Sequence, residues 1–211
     1  MLRALLFLLL VAPLPVSSSN AVDRFFSALK GTSIHIFTPG FNEKSPMDGK
    51  PILPGFAKAL GLDVGSPPYD SIEFYGVAII QQGRGIVAYI VREPGMYESS
   101  VLALYYFNSK THRLEKQLDL ADHWGDDGYT YEKDSWFIDV DGDGYLDIVS
   151  KELKHSIDLE RMDDPPVIQR KVSVLLYRPS GYISDSSNSF NATSLALKHD
   201  EDLWQDHEHC K

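Results

Sequence analysis

Cysteine is almost missing from this chain of 211 residues: Cys210 stands alone, one position from the end. An internal disulfide is therefore excluded, and the fold must rest on its core and on any bound metal. Continuous apolar runs are scarce too. The longest, which contains Leu5 to Val11 and ends before Pro13, is too short to span a bilayer, which argues against membrane insertion. Basic residues fall short of acidic ones, 20 against 30, for a net charge of −10. Such a surface repels nucleic acid and anionic membranes and suits a cation-binding protein, although plain solubility accounts for most of the charge. Missing as well are the Gly-x-Ser-x-Gly elbow, a phosphate-cradling glycine loop and His-Glu-x-x-His. A glycosidase pair of carboxylates stays open, because acids are too many to single out two.

What is present begins with a secretory pattern. Arg3 supplies a positive start and Leu5 to Val11 an apolar stretch, broken by Pro13 and Pro15. Ser19, Asn20 and Ala21 then place small residues where a signal peptidase reads. Residues 1–21 are expected to be a signal peptide and residues 22–211 one exported domain, secreted or periplasmic. Cleavage removes one Arg and no acid, taking the net charge from −10 to −11.

Apolar residues make up 43% of the chain and aromatics 11%, enough for a packed core. Apolar runs near Ile79, Ala88 and Leu175 are strand formers, so a mainly β fold is expected. Short helices are expected near both ends: Val22 to Lys30, Phe56 to Leu60 closed by Gly61, and Leu195 to His207. Between the first two, Ser33 to Phe37 alternates like a strand and residues 38–55 read as loop. The chain also shows an internal echo. Gly76 to Glu93 lies over Ser135 to Glu152 without a gap, matching Ile79 with Ile138, Gly83 with Gly142 and Gly85 with Gly144. Each copy reads as strand, Gly-x-Gly turn, strand, followed by Val101 to Phe107 in the first and Val172 to Tyr177 in the second. Two tandem four-stranded antiparallel units are expected, at about residues 76–118 and 135–184. Leu118 to Lys133 is expected to be a long acidic connection between them.

The second Gly-x-Gly turn carries chemistry. Asp139, Asp141, Asp143 and Asp147 occupy positions one, three, five and nine of a loop, with Gly144 at six. Calcium takes six to eight hard oxygen ligands in a flexible shell. Carboxylates at alternate positions converge on one ion if the chain curls, and Gly142 and Gly144 allow the curl. The backbone carbonyl of Tyr145 at position seven is the natural further ligand. Strand formers flank the loop, and Ser150 replaces the Glu expected at position twelve, so a helix-flanked EF-hand does not fit.

Trp136 through Val149 resembles the calcium loop of FG-GAP and VCBS repeats, the blades of integrin-alpha-type β-propellers. The resemblance implies calcium held by Asp139, Asp141, Asp143, the Tyr145 carbonyl and Asp147. It implies none in the first copy, where Ile80, Gln82, Arg84 and Ala88 stand at the ligand positions. It also implies propeller blades, but a closed ring needs at least about four. This chain has two, so the expectation is an incomplete or atypical propeller: either a truncated blade-like assembly, or a ring completed between chains as an oligomer.

Other clusters carry less. His207, His209 and Cys210 form a terminal group with metal-binding residue types but no second ligand pair at zinc-finger spacing. Asp126, Asp127, Glu132 and Asp134 precede the loop and read either as a further ligand source or as a solvated connection. His35 reads as a partly exposed strand residue. Asn191, Ala192 and Thr193 form a glycosylation sequon, meaningful only in a eukaryotic host. The functional expectation is a calcium-stabilised binding or scaffolding module with a protein or glycan ligand; the alternative is a secreted hydrolase of a polymer or glycan. Secreted material should begin near Val22 on N-terminal sequencing; intact Met1 in a membrane fraction would contradict the signal.

Overall fold

The computed structural model describes residues 20–39, 44–63, 73–83, 85–94, 100–159, 161, 165–178 and 181–184. The signal segment, the expected Leu195 to His207 helix, the sequon and the His207, His209 and Cys210 group lie outside them. Within them the protein is mainly β. A short helix α1 (Asn20–Asp23) leads to β1 (Ser27–Leu29), β2 (Ser33–Ile36) and β3 (Lys50–Ile52), then to helix α2 (Pro54–Ala59). Eight more strands follow: β4 (Phe74–Gly83), β5 (Ile86–Pro94), β6 (Ser100–Asn108), β7 (Arg113–Asp126), β8 (Tyr129–Ile138), β9 (Asp147–Ser156), β10 (Val167–Arg178) and β11 (Gly181–Ser184).

Those eight strands form one antiparallel meander within a single mixed sheet. The early strands fill its margins. β1 pairs parallel with β4 at Ala78 to Ile80, β3 pairs antiparallel with the start of β4, and β2 pairs with β8 from Ser135 to Ile138. No helix among the described residues is long and apolar enough to cross a membrane.

Side-chain alternation decides the layering. Ala88 and Ile90 of β5 and Leu102 and Leu104 of β6 point into a cluster that also takes Ile36, Ile80, Leu120, Phe137 and Ile148. That one cluster draws on strands from β2 to β9, with Leu175 and Tyr182 packed against it, so the sheet must curl around it. The residues between them, Tyr89, Val91, Ala103 and Tyr105, point the other way and meet Val22, Phe25, Phe26, Ala57 and Leu60. β5 and β6 are thus covered on both faces, which is why they read as nearly unbroken apolar runs.

Helix α2 ends as its sequence suggests. Leu62 N–H reaches Ala57 O and Gly61 N–H reaches Lys58 O, the paired bonds of a Schellman cap, with Gly61 at φ +81°. The expected helix over Val22 to Lys30 is not formed. Only Asn20–Asp23 is helical; Phe25 and Phe26 are both buried beneath the sheet and Ser27–Leu29 joins β4. Edge pairing and two adjacent buried rings outweigh a weak helical periodicity. The expected loop over residues 38–55 contains β3, and α2 starts at Pro54. The long connection expected from Leu118 to Lys133 is instead the β7–β8 hairpin, turning at Asp127 and Gly128, with Gly128 at φ +79°. Asp-Gly is the standard sequence of such a two-residue turn.

Phe137 is fully buried in the central cluster, whereas Val167 is 57% exposed. Phe137→Ala should lower unfolding free energy by about 3–5 kcal/mol, and Val167→Thr should change it by less than about 0.5 kcal/mol, both read from urea denaturation.

Candidate metal centre

Strand β8 ends at Ile138, which pairs with Asp147 at the start of β9. The chain between them leaves the sheet as a loop. Its shape comes from its own carboxylates. Asp139 accepts the N–H of Gly142 at 2.7 Å on one oxygen and that of Gly144 at 3.0 Å on the other. Asp141 accepts Asp143 N–H at 3.3 Å, and Asp143 accepts Tyr145 N–H at 2.9 Å. Short acidic side chains favour such local turns. Gly142 and Gly144 sit at φ +76° and +83°, in the left-handed region. A Cβ at either would meet nothing within 4 Å, so the need for glycine there is conformational rather than steric.

Asp147 differs from the other acids. It is fully buried, and both its oxygens accept backbone hydrogens: Val140 N–H at 2.9 Å and Tyr177 N–H at 2.8 Å. One bond closes the loop on itself; the other ties it to β10. Burial pushes the Asp147 carboxyl above its ordinary range, against the pull of the two N–H donors, while Asp141 and Asp143 add repulsion.

Asp139, Asp141 and Asp147 each offer an oxygen within 4.8 Å of the others. Asp143 is not in that trio. Its second oxygen accepts from Arg178 Nη1 at 3.1 Å, and Arg178 Nη2 donates to Asp141 at 2.7 Å. The bond to Asp141 raises the guanidinium's already high pKa. The Tyr145 ring is buried and lies 5.4 Å from that of Tyr177.

The loop is also fastened to the far end of the meander. Leu146 N–H donates to Gln82 O of β4 at 3.3 Å. The Gln82 side chain, fully buried, donates to the Tyr182 hydroxyl and accepts from that of Tyr106. Tyr182 in turn bonds Leu146 O at 3.5 Å. In this way β4 and β11, distant along the sheet, meet beneath the loop. Burial raises the pKa of the Tyr182 hydroxyl, and the neighbouring Tyr106 adds to the rise.

Three hard carboxylate oxygens near one point form a donor set that could hold a hard metal cation, and none of the trio offers the nitrogen or sulfur that zinc favours. The other acids stand apart. Asp126 and Asp127 lie beyond the opposite end of β8, a strand of ten residues, from the loop. Asp134 contacts His35 at 3.3 Å, and that imidazole stacks on Trp136 at 4.4 Å. His35 is partly exposed, as its alternation suggests.

Scans against protein-family models, curated proteins and solved structures find no match. Arg178, Gln82 and the Tyr177 amide are the participants that sequence reading missed. No local spacing signals them, because they reach the loop only through strand pairing.

Replacing Asp147 with Asn puts an NH₂ where one of two buried N–H groups needs an acceptor. Asp147→Asn should therefore cost about 1–3 kcal/mol in chelator-treated protein, measured by denaturant unfolding.

Proposed function

We propose that this chain is an exported calcium-binding β protein of the FG-GAP and VCBS type, a binding or scaffolding module with one structural calcium. The observation that carries the reading is the convergence of Asp139, Asp141 and Asp147 to within 4.8 Å on a loop curled by Gly142 and Gly144. The ion neutralises carboxylates that otherwise repel one another, and it pins the β8–β9 hairpin. The Tyr145 carbonyl and Asp143 add two further ligands, and water fills the remaining positions.

The finer reading of two blade-like units draws support from the strand count. Strands β4 to β7 and β8 to β11 are four each, and both opening hairpins turn on Gly-x-Gly. Gln82, at the position of Asp141 in this alignment, is neutral and buried, consistent with a first unit that holds its turn without an ion. Both units share one sheet.

An ion that binds only the folded loop stabilises it by about 2.7 kcal/mol at a hundred times its dissociation constant. Millimolar calcium should therefore raise the melting temperature over chelator, and magnesium should do so far less, since it resists dehydration and demands a tighter octahedron. Asp141→Asn combined with Asp143→Asn should abolish the rise. An unchanged melting temperature, with no ion bound by calorimetry, would falsify the site.

A further inference from the structure

We propose that Arg178 is a tethered competitor for the loop's carboxylates, so that calcium binds by exchange with its guanidinium. The inference rests on the calcium reading above and adds what governs affinity there.

The geometry points to Arg178 by three contacts. Its two terminal nitrogens span Asp141 at 2.7 Å and Asp143 at 3.1 Å, loop positions three and five. Nη1 also donates to Tyr177 O at 2.7 Å, which anchors the fork to its own strand. Tyr177 is the residue whose N–H holds Asp147. The cation is thus delivered to the loop by the same stretch of β10 that positions the buried ligand. It is paired in register with Gly181 at the β10–β11 hairpin, so its backbone is fixed and only its side chain has freedom.

The placement has a chemical consequence. Asp141 belongs to the convergent trio and is also held by Arg178; Asp143 is held by Arg178 and lies outside the trio. A divalent cation drawing on Asp141 sits close to a tethered positive charge, and recruiting Asp143 requires breaking the second ion pair. Both effects oppose binding. Arg suits the part because its planar fork spans two carboxylates and never deprotonates. The Arg178 side chain is about one-third exposed and has solvent to swing into. No covalent step is involved: one cation leaves two carboxylates as another arrives.

Calorimetric calcium titration of the full chain tests this with Arg178→Gln, Arg178→Lys and the combination of Arg178→Gln with Asp143→Asn. Arg178→Gln should bind calcium roughly tenfold more tightly than wild type, the scale of one partly screened charge interaction. Arg178→Lys keeps the charge and should stay within a few-fold of wild type. Adding Asp143→Asn should remove most of the gain, because the freed carboxylate is its source. A second readout needs no metal. In chelator, Arg178→Gln should melt below wild type at low salt, with the gap closing as salt screens the carboxylates. Unchanged or weaker calcium binding in a folded Arg178→Gln protein would overturn the exchange while leaving the calcium site standing. If neither wild type nor Arg178→Gln binds calcium, the calcium reading itself fails and the exchange fails with it.

Discussion

A carboxylate with no exposed surface, held by two backbone N–H groups from different parts of the chain, organises this end of the molecule. Asp147 joins the loop at Val140 to strand β10 at Tyr177. A buried charge is tolerable only when its hydrogen-bonding capacity is met, and here each oxygen has a donor. The register of β8 against β9 and of β9 against β10 must bring both donors into place together. A one-residue slip would turn Asp147 to the opposite face, and the loop would lose its floor. The acids above it can then be held close because their own carboxylates satisfy the loop's amides and because Arg178 offsets part of their charge.

The curl of the sheet has a related polar cause. Around most of the meander the interior is apolar, from Ile80 through Leu104 to Phe137 and Ile148. Where β4 and β11 come together the filling changes to Gln82, Tyr106 and Tyr182, joined by hydrogen bonds and to Leu146. The loop therefore rests on a hydrogen-bonded platform. Fully satisfied polar networks of this kind fix one arrangement, whereas apolar contacts alone tolerate sliding.

Much of the strand content was legible because alternation and β-branched runs are local signals. The Gly-x-Gly turns, the α2 stop at Gly61 and the clustering of Asp139, Asp141 and Asp147 on one loop could be read for the same reason. The failures are equally physical. The helical spacing of Val22 to Lys30 competed with two buried phenylalanines and an edge that needed a partner. The charged stretch before Lys133 looked like a connection because a hairpin exposed on much of both faces carries little apolar patterning. Arg178 and Gln82 could not be found at all, since each reaches the loop across a sequence separation that only the folded register defines.

The central claim is that these carboxylates share one calcium ion, and a crystal structure grown in calcium with anomalous diffraction tests it most directly. The account predicts a single anomalous peak with oxygens of Asp139, Asp141 and Asp147 at about 2.3–2.6 Å. It also predicts Asp143 turned inward and Arg178 withdrawn from both of its acidic partners. No peak at the loop, with Arg178 still spanning Asp141 and Asp143 in saturating calcium, would contradict it.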